Sequence, residues 1–227
     1  MATFSGSETM ATLGNQSGWL ERTFMPRRAA IAGILAPLLW IFILAVLDLV
    51  QYDFLLSIGV DPLRTSPASD NGVGPYGLVY SASDFIFGLL VIVFALGLYQ
   101  VVTSSWQAWV GLASLLIFGT GFVFGSATCD CMPGQASTLG GTIHKISYAL
   151  FFVATIPMTF FAGLAFRRDR RWQGLAWYPI AAGLLALPLF IQADTLPEIF
   201  SWFYIWLLVV PLGFIEVTAW RLWQLSR

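Results

Sequence analysis

The chain has 227 residues, of which 58% are hydrophobic and only 10% charged, and its formal net charge is −1. An ordinary soluble domain carries roughly 25% charged residues, so this composition cannot clothe a soluble surface, and an integral membrane protein is the class it fits. The near-neutral balance also excludes a nucleic-acid binder, which needs a concentrated basic surface.

Residues 1–28, MATFSGSETMATLGNQSGWLERTFMPRR, are rich in Ser, Thr and Gly and hold no apolar run. They lack the hydrophobic core of a secretory signal and read as a mobile cytoplasmic tail, with a short interfacial helix expected near 19–24. Residues 29–227 read as one all-α polytopic domain. A spanning helix needs about 20 mostly apolar residues, and six such runs follow, at 29–50, 76–102, 108–127, 143–166, 174–192 and 200–223. The first run serves as its own insertion signal. Between the first two, SPASDNGVGPYG (66–77) is a turn-rich loop. Gly72 and Gly74 are expected to supply positive φ and Pro75 to start the second span, with the loop folding over the bundle as a lid. The third run holds GTGFVFG (119–125), small residues suited to close helix packing. Pro37, Pro157, Pro179, Pro188 and Pro211 fall inside predicted spans and are expected to kink them.

Orientation follows from the basic residues. Arg22, Arg27, Arg28, Arg167, Arg168, Arg170, Arg171, Arg221 and Arg227 account for nine of the eleven. Six spans put their three regions on one side, which the positive-inside bias makes cytoplasmic, with both termini there. RRDRRWQ (167–173) then reads as an anchor for anionic lipid. The other side carries Asp53, Asp61, Asp70, Asp130, Asp194 and Glu198 against Arg64 and Lys145. Trp106, Trp109, Trp172, Trp177, Trp220 and Trp223 stand at span ends and suit the interfacial aromatic belt.

Three segments together carry a resemblance: SPASDNGVGPYG, the CDC…GGTIH segment (129–144) and FRRDRRWQGLAWYPIAAG (166–183). In that order and spacing the chain resembles the multi-spanning bacterial and archaeal membrane family Domain of Unknown Function 998, over about residues 28–183. The resemblance implies a compact helical membrane domain and no established activity; the positions that match include Ser66, Gly72, Asp130, His144, Arg168, Asp169 and Trp172. Against the family pattern, the last span is expected to open on a Gln-Arg pair, where this chain reads LPEIFSWFYIW. Asp84 and Glu216 stand where apolar residues are expected.

The outward stretch 128–145 holds both cysteines and the only histidine. Asp130 and His144 end the third span and begin the fourth, and a carboxylate beside an imidazole can move protons. Cys129, Asp130, Cys131 and His144 supply metal-ligand types, but two cysteines one residue apart chelate a tetrahedral ion poorly, so no metal is assigned. A Cys129–Cys131 disulfide would close a very small, strained ring; two small residues at a helix end is the plainer reading.

Acids within the spans carry more chemistry. Asp84 lies some eight residues into the second span, roughly 12 Å deep at 1.5 Å per residue. A lipid-facing carboxylate there costs on the order of 3 kcal/mol, so it should face the bundle interior. Asp48, near the outer end of the first span, can pair with it and share a proton. Glu216 is expected to find Arg221 or water. Trp40 and the SWFYIW run, with Trp202, Phe203, Tyr204 and Trp206, are candidates to line a substrate cavity. An acid within aromatic walls suits a lipophilic substrate passing through a cationic state; membrane-bound terpene cyclases use that logic, a likeness of chemistry and not of motif. The reading is an enzyme performing acid–base chemistry on an isoprenoid or other lipid. Asp84, Asp48, His144 and Asp130 are its candidate catalytic groups. The alternatives are a non-catalytic lipid or small-molecule binding or transport protein, or a subunit of a larger membrane complex. No internal inverted repeat favours a secondary transporter. No cofactor can be named, and the partners expected are membrane lipids and a lipophilic small molecule.

Overall fold

A computed structural model describes residues 26–61, 68–127, 129–130, 135–192 and 200–227, and the side chains of all of these but 187–192 and 200–207. The tail at 1–25 and the cavity-lining candidates Trp202, Phe203, Tyr204 and Trp206 therefore lie outside the described residues or side chains. The described residues form seven α-helices in order: α1 (Pro26–Val50), α2 (Tyr52–Ser57), α3 (Gly77–Tyr99), α4 (Trp106–Gly125), α5 (Leu139–Phe166), α6 (Trp177–Gln192) and α7 (Phe200–Leu225). Two 3₁₀ turns, Ala68–Gly72 and Gln173–Leu175, precede α3 and α6. No strand occurs among the described residues.

Among the described residues four helices, α1, α3, α4 and α5, are long and apolar enough to cross a membrane. Their outward faces carry the residues a bilayer accepts: Phe42, Leu49, Leu78, Phe124 and Val153 are all more than half exposed. Each long helix packs mainly on the next in chain order, and α7 returns to α1, so six helices form a ring. The ring encloses a core of Trp40, Phe87, Phe118, Phe122, Phe151 and Phe214.

Local chemistry accounts for the helix ends. Pro26 opens α1, where a missing N–H costs nothing. Ser105 caps α4 by accepting from the Ala108 N–H, and Thr138 caps α5 by accepting from the Gly141 N–H. Pro37, Pro157 and Pro211 lie inside α1, α5 and α7. Pro179 does not break a helix, contrary to expectation; it falls in the first turn of α6, whose N–H groups have no intrahelical acceptor anyway. The second span starts at Gly77, two residues beyond Pro75. Gly72 and Gly74 also differ from expectation: among the described residues only Gly59 has positive φ, at 80°. Gly74 is small because the Gln51 side chain occupies the space a Cβ would fill.

The GTGFVFG run packs as its small residues imply. A Cβ on Gly88 would lie 2.5 Å from the Gly119 carbonyl oxygen, and one on Gly119 would lie 3.0 Å from the Gly88 oxygen. Backbones of α3 and α4 thus meet with no side chain between them, which maximises dispersion contact where lipid removes the hydrophobic drive. Gly88→Val is expected to push the helices apart and cost about 1–3 kcal/mol, read as a lower midpoint in detergent-induced unfolding. An unchanged midpoint would show that this contact is not rigid.

At one end of the ring the start of α1, the ends of α3, α5 and α7 and the start of α4 come together. Arg27 lies over the Trp223 ring, 4.9 Å from its centroid. Arg171 donates to the Val101 carbonyl at 2.5 Å, and Arg221 donates to the Arg171 carbonyl at 2.7 Å. Asp169, in the middle of RRDRR, organises this end. It is buried and accepts from Arg171 Nη2 at 2.8 Å, Arg171 Nε at 3.1 Å and Thr103 Oγ1 at 2.8 Å. The Arg171 guanidinium holds its carboxyl well below the usual carboxylate range. A depressed folded-state pKa contributes stability that is complete above the unfolded value, about 4, and is lost progressively as pH falls from there through the much lower folded value. Asp169→Asn is therefore expected to be less stable than the parent at neutral pH, with a gap that is smaller at pH 3 than at pH 7. Unfolding midpoints at pH 7 and pH 3 check this; parallel offsets would refute it.

Two other residues at this end depart from expectation. Trp172 is not in the interfacial belt but fully buried, stacked on Phe166 at 4.8 Å and 16°. Trp106, Trp109, Trp177 and Trp220 are more than half or about half exposed, as a belt requires. Glu216 makes no pair with Arg221, which is bonded to Arg171 and Gln224 instead. Glu216 Oε2 is buried without a hydrogen-bond partner among the described residues.

A candidate acid–base site in the bundle core

Asp84 is fully buried on the inner face of α3. The Trp40 indole Nε1–H, from α1, donates to its Oδ1 at 2.7 Å. The Tyr148 hydroxyl, from α5, lies 3.5 Å from its Oδ2. The Tyr80 hydroxyl shares a hydrogen bond with the Tyr148 hydroxyl and also approaches the Asp84 carboxyl. Three helices thus converge on one carboxyl, and every partner is neutral. No Lys or Arg among the described residues forms an ion pair with it.

Helical spacing explains the convergence. Tyr80 and Asp84 are four residues apart on α3, and His144 and Tyr148 are four apart on α5, so each pair shares one face of its helix. Sequence reasoning found Asp84, Trp40 and His144 but missed the two tyrosines, whose signal was this spacing. An apolar wall surrounds the group. Trp40 lies 5.6 Å from Phe87 and edge-on to Phe122, Phe122 lies 4.7 Å from Phe151, and Tyr148 lies 4.8 Å from Phe151.

His144 reaches this cluster through Tyr148, its ring 4.5 Å from the phenol ring. Its Nδ1 lies 2.6 Å from the Gly125 carbonyl oxygen and 3.2 Å from that of Ala127. Two carbonyl acceptors require the proton on Nδ1, which leaves Nε2 as the acceptor of the neutral ring. The histidine thereby also ties the exposed last carbonyls of α4 to α5.

Asp48 and Asp130 are built into the loops that cover this end. Asp48 accepts from Asn71 Nδ2 at 2.7 Å. Buried Gln51 donates to Asn71 Oδ1 at 3.0 Å and accepts from the Tyr76 N–H. Asp48 follows Trp40 by eight residues on α1, about 12 Å along the axis, so it and the Trp40-bound Asp84 have separate partners and form no carboxyl pair. Asp130 accepts from the Thr138 N–H at 2.5 Å and the Thr138 hydroxyl at 2.8 Å, extending the α5 cap. Its side chain fills the space beside Gly141 that a Cβ would need. The Thr138 N–H holds its carboxyl below the usual range, and no hydrogen bond joins it to His144. Cys129 is buried and disulfide-bonded, while Cys131 lies outside the described residues. The Cys129 Cβ is 3.9 Å from the position a Gly72 Cβ would take. The segment after α4 therefore touches the loop before α3 above Tyr80.

The family model described as a protein of unknown function (DUF998) matches residues 34–215, which include every part of this cluster. No curated protein and no solved structure matches the chain.

Proposed function

The chain belongs to DUF998, a family of unknown function, and from that premise we propose a six-span membrane protein with cytoplasmic termini and an acid–base site at Asp84. Its substrate is a lipophilic molecule of isoprenoid or lipid type. The meeting of the α1 start with the ends of α3, α5 and α7 supports the six-span arrangement, because alternating spans bring just those termini to one face. That face carries the arginines, so the basic bias makes it cytoplasmic.

One observation carries the catalytic reading: a fully buried carboxyl with three neutral hydrogen-bonding partners, Trp40, Tyr80 and Tyr148, inside an aromatic wall. A carboxyl with no cation beside it can hold a proton and release it to a carbon–carbon double bond. Ring faces stabilise the carbocation so formed. Loss of a proton from a neighbouring carbon then restores neutrality, so the sum is an isomerisation or cyclisation with no other reactant. The proton lost from that carbon returns to the Asp84 carboxylate, beside which the Tyr148 hydroxyl stands at 3.5 Å. In this scheme Asp84 is the acid and takes the proton back, Tyr80 and Tyr148 position it, His144 packs against Tyr148 and holds its ring, Trp40 orients the carboxyl, and Asp48 and Asp130 hold the covering loops. The run at 201–206 is proposed to complete the wall.

The chemistry leaves a trace even before a substrate is known. Membranes containing the protein, incubated in deuterium oxide, should incorporate deuterium into a neutral-lipid fraction, and membranes with Asp84→Asn should not. Equal incorporation in both would end the catalytic reading. A second reading, a non-catalytic lipid or small-molecule binding or transport protein, is favoured by the filling of the space around Asp84 by its own partners. The cavity of about 30 Å³ between α3, α4, α5 and α7, lined by Leu98, Leu115, Ala162 and Phe214, is apolar and is not formed by Asp84.

A further inference from the structure

At the arginine-bearing end, a cleft of about 450 Å³ lies between the start of α1, the segment after α3 and the end of α7. Arg27 and Arg171 stand at its rim and Val101, Leu222 and Leu225 form its apolar floor. We propose that this cleft binds an anionic phospholipid, with the headgroup phosphate between the two guanidinium groups.

The charge is available for a ligand. Arg171 spends Nε and Nη2 on Asp169 and Val101, which leaves Nη1 without a partner among the described residues. Asp169 offsets much of the Arg171 charge through their ion pair, so Arg171 offers the site its Nη1 donors and Arg27 supplies the net positive charge. Arg27 is exposed and rests on the Trp223 ring, with no acceptor for its N–H groups among the described residues. Stacking holds the guanidinium plane in place while its donors stay free, the arrangement that favours bidentate contact with phosphate oxygens.

The apolar half is available as well. An adjoining cleft of about 320 Å³ is lined by Ile31, Ile34, Leu35, Trp220 and Trp223, with Arg227 as its one charged residue. Ile31, Leu35 and Leu38 succeed one another on the outward face of α1, each more than 40% exposed. An acyl chain leaving a headgroup at Arg27 therefore has a continuous apolar strip to lie on, which a free phosphate would not use. The site is independent of the Asp84 reading.

Native mass spectrometry of the full chain in detergent, titrated with phosphatidylglycerol or phosphatidylcholine, tests the proposal. The parent should bind phosphatidylglycerol at least about tenfold more tightly, since a charge-assisted guanidinium–phosphate contact is of the strength that tenfold represents. Arg27→Gln should lose about that factor, and Arg27→Lys, which keeps the charge, should lose less. Arg28→Gln removes the same charge from an exposed neighbour outside the cleft and should change binding less than about twofold. Equal losses at Arg27 and Arg28 would overturn the site in favour of diffuse attraction, and so would equal affinity for the two lipids. Displacement of phosphatidylglycerol by inorganic phosphate would overturn the lipid assignment and leave a phosphate site.

Discussion

Asp84→Asn is expected to leave the bundle folded and to abolish proton transfer, whereas Asp84→Ala is expected to damage both. Asparagine has the shape of aspartate and keeps an acceptor oxygen for the Trp40 N–H, 2.7 Å away in the parent. Its amide meets the Tyr148 hydroxyl, which can accept in place of donating. Replacing a charge-capable group by a neutral one at a fully buried site also removes a desolvation cost, so thermal stability should be unchanged or slightly raised. Asparagine cannot act as an acid, and loss of a positioned acid or base costs typically 10²–10⁴-fold in rate. Alanine removes the acceptor altogether and leaves the Trp40 donor buried and unpaired, at about 1–3 kcal/mol. Deuterium incorporation together with the unfolding midpoint separates the outcomes. An active Asp84→Asn protein would assign the cluster to structure, and Tyr148→Phe should then have no effect on activity either.

Much of this arrangement is legible in the sequence because membrane helices are written in long apolar runs. The helices at 26–50, 77–99, 106–125 and 139–166 lie within a few residues of the predicted spans, and their small residues meet where GTGFVFG stands. Asp84 was legible for the same reason: in a run of Leu, Phe and Val, an acid has no plausible place but the interior. Its partners were harder to read. Tyr80 and Tyr148 resemble any aromatic residue in a span until three-dimensional convergence puts both hydroxyls beside one carboxyl. The proposed pairing of Asp48 with Asp84 counted depth from span ends and ignored which loop residue would claim each acid. Asn71, held by Gln51 in a buried loop, claims Asp48, and nothing in the local spacing announces such a contact.

Loops mislead for a related reason. Gly72 and Gly74 look like positive-φ turn residues, since that is the commonest reason for glycine in a polar loop. Here the requirement is room: Gln51 fills the space beside Gly74, and the Tyr80 ring lies 3.2 Å from where a Gly72 Cβ would stand. Both effects select glycine, so only the three-dimensional structure distinguishes a conformational need from a steric one.

The largest loss of stability is expected from Trp172→Ala. The indole is fully buried where the RRDRRWQ segment turns back toward α6, and it lies flat on Phe166 at the end of α5. Its backbone N–H donates to the Asp169 carbonyl at 2.9 Å, so the residue belongs to the turn that Asp169 and Arg171 hold closed. Truncating a buried tryptophan leaves a cavity that packed neighbours fill only in part, and such changes cost about 3–5 kcal/mol. Trp172→Phe tests the cause. The indole Nε1–H has no hydrogen-bond partner among the described residues, and a buried unpaired donor is itself destabilising by about 1–3 kcal/mol. Phenylalanine removes that donor while keeping a ring to stack on Phe166, so its net cost should be well under half that of alanine. Unfolding midpoints of the three proteins in one detergent decide the matter. Equal destabilisation by alanine and phenylalanine would mean that the indole nitrogen has a partner, such as water, that the turn depends on.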